Sequence, residues 1–131
     1  MSAQALAQLE ALMQTILQMT ERYRTLEQQI AGTAARQPQT PAEARQIVQE
    51  LWTFSEQANE LDDQANDIDT EISNLTDEVT SYVDSLRSAL DEANGVVWTN
   101  AAALASTADD GASTLEEWAD DVEQNLQDAS Y

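Results

Sequence analysis

The sequence predicts an all-α fold: an elongated antiparallel helical hairpin or coiled coil, with one long central helix and a short C-terminal helix or helical hairpin. Three observations predict it. Ala, Leu, Gln and Glu, all good helix formers, dominate the 131 residues. Residues that punctuate turns are scarce, with three Gly and two Pro. Apolar residues recur at alternating spacings of four and three, the 3.5-residue period of a seam facing a partner helix. Rings are few (one Phe, three Trp, three Tyr), which argues against a compact mixed core.

The first helix is expected over about residues 3–31. Ala5, Leu9, Leu12, Ile16, Met19, Tyr23, Leu26 and Ile30 follow the four-three rhythm without a miss, and Leu6 and Met13 widen the stripe. The stretch "AGTAARQPQTPAEA" interrupts it, with Gly32 as the expected stop. Thr40-Pro41-Ala42-Glu43 then reads as a helix start. Thr40 can cap, Pro41 suits the first helical position, and Glu43 completes a capping box.

The second helix is expected over about 41–94. Its a positions are Leu51, Ala58, Ala65, Ile72, Val79, Leu86 and Ala93. Its d positions are Ile47, Phe54, Leu61, Ile68, Leu75, Tyr82, Ala89 and Val96. Every one is apolar or aromatic, and at about 1.5 Å per residue such a helix is roughly 80 Å long. If helix 1 folds back so that paired numbers sum to 77, Ile30 meets Ile47, Tyr23 meets Phe54, and Met19 and Leu12 meet the small Ala58 and Ala65. A straight relay of self-pairing segments is the rival arrangement. The hairpin leaves Leu75, Val79, Tyr82, Leu86, Ala89 and Ala93 without cover. At roughly 1.5–3 kcal/mol per buried large aliphatic side chain, that stripe calls for a partner helix.

Residues 1–94 therefore form the expected coiled-coil unit and 95–131 a helical tail. Asn94-Gly95 reads as a helix end. Asp109-Asp110-Gly111 reads as a turn, and Ser113-Thr114-Leu115-Glu116 as a second capping box. Leu115, Trp118, Val122 and Leu126 share one face of a last short helix. That face has two candidate seats, on Val97, Ala101, Leu104 and Ala108 or on the uncovered stripe, and the sequence does not choose.

Composition excludes several functions. There is no Cys and no His, hence no disulfide, no thiolate or imidazole chemistry and no Cys/His zinc site. There is no Lys for a Schiff base and no Gly-rich phosphate loop, so no enzyme is expected, and no cofactor or metal. Asp63, Asp67, Asp69 and Glu71 resemble part of a calcium loop, but the tight-turn Gly is absent and helical spacing splays the carboxylates. They read as a solvated acidic face. Asn74-Leu75-Thr76 matches the N-glycosylation triplet, a pattern common by chance. The N-terminus lacks a basic n-region, so no signal peptide is expected, and no apolar run reaches membrane-span length.

The net charge is −20, from 25 acids against five Arg. Nucleic acid and anionic membranes are unsuitable partners for such a chain. The acidity fits either a basic partner or a high-salt habitat, where self-repulsion is screened within roughly 3 Å at 1 M. The lack of Lys throughout favours salt adaptation. Trp52 lies beside the seam at b, where it is expected to widen the core stripe, with partial exposure at a contact as the alternative; Trp98, just past Asn94-Gly95, is better placed for docking, since exposed Trp is common at binding hot spots.

The expected role is a structural or assembly component: an oligomeric fibre, stalk or connector, on a virion or cell surface among other settings. Self-association favours three chains slightly over two, because Leu, Ile and Val are mixed across a and d. The interface residues expected are Leu75, Val79, Tyr82, Leu86, Ala89, Ala93, Trp98 and Trp118. The alternative is a helical adaptor or chaperone that masks a basic or apolar helix of another protein.

Overall fold

In the computed structural model the backbone is described for residues 3–74 and 81–129, and side-chain surroundings for 7–74 and 85–128. Three helices account for it: α1 (Ala3–Ala34), α2 (Pro41–Asn74) and α3 (Ser81–Ala129). They form an up-down-up bundle. α1 and α3 run parallel, since Met13 shares a groove with Leu86 at one end and Ala34 shares one with Gly111 at the other. α2 runs against both. Arg22 on α1 reaches Gln64 on α2, and Arg45 on α2 reaches Asp120 and Glu123 on α3.

The start of α2 follows the sequence reading. The backbone N–H of Glu43 donates to Thr40 Oγ1 at 3.2 Å, and the Glu43 carboxylate accepts the N–H of Gln39 at 2.8 Å. The acid thus reaches one residue further back than a standard capping box. The amide of Ala44 closes the first turn onto the Thr40 carbonyl at 3.1 Å.

The single helix over 41–94 is corrected. α2 ends at Asn74 and α3 returns along it, for Asn94 Nδ2 donates to the Ala65 carbonyl at 2.9 Å. One continuous helix would hold those residues about 43 Å apart at about 1.5 Å per residue. The apolar rhythm continues across the reversal because both arms need a buried stripe, so periodicity alone does not reveal the turn. Among the described residues of the seam's second half, Leu86 and Ala93 pack against the chain's own core.

The phase of the stripe also changes. Ala89 is exposed and Val96 is 56% exposed, although both hold d positions in the sequence reading. Leu90, Asn94, Val97, Ala101, Leu104 and Ala108 are buried in their place. The heptad phase carried over from α2 is therefore not that of α3.

The expected break at Asn94-Gly95, the turn at Asp109-Asp110-Gly111 and the capping box at 113–116 are likewise corrected, because α3 runs through all three. Gly32 does not end α1, which continues to Ala34. No glycine has a positive φ. Thr114 Oγ1, inside the expected capping box, donates instead to the Asp110 carbonyl of the preceding helical turn at 3.0 Å. Tertiary packing offsets the helix-interior cost of glycine, about 1 kcal/mol each. The terminal hairpin cannot form, since Leu115–Leu126 and Val97–Ala108 lie on one helix.

Packing is asymmetric. α2 and α3 lie against each other more intimately than either lies against α1. Small side chains explain this: Ala44, Ser55, Ala58 and Ala65 on α2 and Ala101, Ala105, Ala108, Ala112 and Ala119 on α3 are all buried. Short side chains let two backbones approach closely. α1 contributes bulk instead, with Leu9, Leu12, Ile16, Met19, Leu26 and Ile30 buried, and therefore stands further off. The α1–α2 register differs from the predicted one. Arg22 meets Gln64 and Arg36 meets Glu50, so facing numbers sum nearer 86 than 77. Extending α1 from about residue 31 to Ala34 shortens the linker by three residues, to 35–40.

Candidate functional site

Open grooves run between the helices. One, of about 420 Å³, lies between α1 and α2 and is lined by Gln18, Arg22, Gln29, Gln57 and Leu61 among others. A second, of about 480 Å³, is lined by Gln8, Leu12, Thr15, Glu71 and Asn74. A third, of about 300 Å³, marks where α1 ends, between Ala34, Leu51, Gly111 and Leu115. Amides, hydroxyls and single carboxylates at such edges offer hydrogen bonds to a passing side chain. They do not converge on a point where a small substrate is enclosed. Among the described residues no three acids converge as metal ligands do. Asp63, Asp67 and Glu71 are exposed along α2.

Charged contacts gather along the seams between helices. Arg45 forms a fork with Glu123, one arm donating to Oε1 and the other to Oε2 at 3.0 Å, and also reaches Asp120 Oδ1 at 2.9 Å. Those two carboxylates raise the Arg45 pKa above its ordinary value. Arg36 pairs with Glu50 at 2.5 Å. All these groups are substantially exposed, so each pair contributes little at physiological salt. Tyr23 donates its hydroxyl to Glu27 Oε2 at 2.9 Å; burial first, then the carboxylate, raises its phenol pKa above 10.0.

The sequence-predicted interface residues divide. Leu75 and Val79 lie outside the described residues, and Tyr82 belongs to α3 with its side chain outside them. Leu86, Ala93 and Trp98 are partly buried against the chain's own core. Ala89 is exposed. Trp118 is 37% exposed near the end of α3, in the heptad position of Leu90, Val97 and Leu104. Those earlier residues are buried in the core, but α1 ends at Ala34, level with Gly111 and Leu115, before Trp118 is reached. Trp52 stays partly exposed beside the α2 stripe, and Asn74, of the glycosylation triplet, is exposed at the end of α2.

Sequence reasoning missed Asn94 as a core residue. It is 2% exposed and ties α3 to the α2 backbone. Its place next to glycine made it look like a helix stop. The signal that identifies it is its heptad spacing from Ala101 and Ala108.

These features define a class of protein: an all-α, three-helix antiparallel bundle with shallow polar grooves and an acidic outer surface. Compared with protein-family models, with curated proteins and with solved structures, the chain finds no match. No helix among the described residues is long and apolar enough to cross a membrane.

Proposed function

We propose that this chain is a non-enzymatic helical binding module that folds as one copy and acts through its outer helical surface on other proteins of an assembly. The observation that carries this reading is the seam itself. Leu86, Leu90, Ala93 and Val97 rest on the chain's own core, so the described part of the stripe needs no second copy to stay dry. What remains for function is a charged exterior with a few large apolar residues in water, which suits recognition of another helix better than chemistry on a small substrate.

The second reading is the oligomeric fibre, stalk or connector of a larger assembly, on a virion or cell surface in a salty habitat. The length of α3 favours it: 49 residues make a rod about 73 Å long at about 1.5 Å per residue. Light scattering on the purified chain at low and high salt separates the two. The binding-module reading expects one copy across concentrations at both salts. A mass of two or three copies that persists on dilution places the stalk first and rejects the module.

A further inference from the structure

We infer that the apolar stripe of α3 beyond Thr114, made by Trp118, Val122 and Leu126, is a docking face for an amphipathic helix of another protein whose apolar stripe is bordered by Lys or Arg. This rests on the binding-module reading and names the partner's chemistry.

α1 ends at Ala34, level with Gly111 and Leu115 in the groove they share. α3 continues to Ala129, about 27 Å past Gly111 at about 1.5 Å per residue. As far as Glu123, α3 keeps one of its two neighbours. Arg45 near the start of α2 holds Asp120 and Glu123, and Ala119 is buried. The other neighbour is gone, and apolar residues continue at four-residue spacing: Trp118 is 37% and Leu126 60% exposed, with Val122 half-buried between them.

Charge selects the occupant. Glu117, Asp121 and Asp128 line the side of this stripe away from α2, all exposed. No Lys or Arg occurs from Ser88 to the end of the chain. A second copy laid on this stripe would set one acidic margin against another. A helix with basic margins places its cations over those carboxylates while its apolar face covers Trp118. Trp is the side chain most often found at the centre of such contacts.

The test uses the full chain and two labelled 18-residue peptides of one composition, Leu and Lys. One has Leu at helical spacing; the other is scrambled. By fluorescence anisotropy at 0.15 M salt, the striped peptide should bind the native chain about tenfold or more tighter than the scrambled one. W118S combined with L126S should reduce it to the scrambled level, while L17S combined with V96S, on exposed residues elsewhere, should leave it unchanged. D121K combined with D128K should weaken the Leu/Lys peptide and favour a Leu/Glu counterpart. Equal binding of striped and scrambled peptides, or indifference to W118S/L126S, overturns the docking face. Preference for the Leu/Glu peptide by the native chain overturns the basic partner. Light scattering on the chain without peptide is unaffected by either result and judges the binding-module reading separately.

Discussion

Asn94 in α3 donates a hydrogen bond from Nδ2 to the backbone carbonyl of Ala65 in α2, at 2.9 Å. A side-chain amide reaches a neighbouring helix backbone only where no bulk intervenes, and the methyl of Ala65 leaves that carbonyl open. Asn94 Oδ1, buried beside it, has no hydrogen-bond partner among the described residues. The pair therefore fixes how α2 and α3 slide along each other while one buried acceptor stays unsatisfied, a cost of about 1–3 kcal/mol. A polar residue in an apolar seam is an established way to set register at the expense of stability.

Asn94→Asp tests the donor. The substitution replaces an N–H with an oxygen facing the Ala65 carbonyl and buries a charge. Unfolding free energy at neutral pH should fall by about 3 kcal/mol or more. Burial raises the folded pKa of the new carboxyl above its unfolded value of about 4, so the deficit grows as pH rises through that value and shrinks below it. Asn94→Ala, which matches the small residues at Ala101 and Ala108, should change stability by no more than about 1 kcal/mol, because the lost bond and the lost orphan oxygen offset each other. Urea unfolding at neutral and acid pH checks both. An aspartate variant as stable as the native chain at neutral pH would remove the register argument.

The close contact of α2 and α3 depends on alanine. Ala108 is fully buried, two heptads after Asn94 in the stripe that meets α2, whereas Ala103 is exposed on the outer face of the same helix. Both positions accept leucine equally well by helix propensity. Ala108→Leu should destabilise by about 1–3 kcal/mol through overpacking, and Ala103→Leu by less than about 0.5 kcal/mol. Equal melting temperatures for the two variants would show that the helices do not approach as described.

Much of the core was legible in advance, and the errors share one cause. Ile47, Leu51, Ala58, Leu61, Ala65, Ile68 and Ile72 were all placed on the buried stripe of the second helix and are all buried. A heptad stripe reports which residues seek cover but not what covers them. The chain reversal was therefore invisible: no Gly or Pro lies between Asn74 and Ser81 to mark it. Conversely, Gly95 and Gly111 looked like stops but sit inside a helix held by its neighbours. Val48 and Ser55 are buried beside the predicted seam because α2 has two neighbours and needs a wider stripe than a two-helix hairpin. At the candidate site, Trp118 was legible as part of an apolar face seeking cover, but its meaning depends on where α1 stops, which periodicity does not fix.

The two interior glycines of α3 separate backbone cost from packing. A Cβ built on Gly95 meets nothing within 4 Å, while one on Gly111 lies 3.4 Å from Leu51 Cδ1. Neither has a positive φ. Gly95→Ala should therefore stabilise by about 0.5–1 kcal/mol through helix propensity alone. Gly111→Ala should gain less, since its methyl presses on Leu51. Thermal unfolding followed by circular dichroism reads both. A destabilised Gly95→Ala would mean that α3 breaks there after all.

Tyr23 carries a pH signature. Its hydroxyl donates to Glu27, and burial together with that carboxylate holds its pKa above 10.0. The neutral phenol is the form the fold favours. Its contribution is fully present below the ordinary tyrosine pKa and is lost as pH rises through the raised folded value. Spectrophotometric titration of the folded chain should show a tyrosinate component above pH 10 that Tyr23→Phe removes. The same component persisting in the variant would assign it to another tyrosine.

Salt should stabilise this protein, and the sign is not obvious from its ion pairs. Arg36–Glu50 and the Arg45 fork are exposed attractions that salt weakens. Against them stand 25 acids and five Arg in 131 residues. Only a few acids have a cation within reach, so repulsion among the rest outweighs the attraction lost on screening. Raising KCl from 0.05 to 2 M at neutral pH should lift the melting temperature by about 5 °C or more, taking about 4 °C per kcal/mol for a chain of this size. Salt also strengthens apolar burial, so the rise at neutral pH does not by itself identify screening. Repeating the series near the isoelectric point of about 4.1 does. There the net charge vanishes and the repulsive part of the salt effect should vanish with it. A melting temperature that climbs equally at both pH values would assign the effect to the apolar core, and one that falls with salt at neutral pH would make the ion pairs dominant.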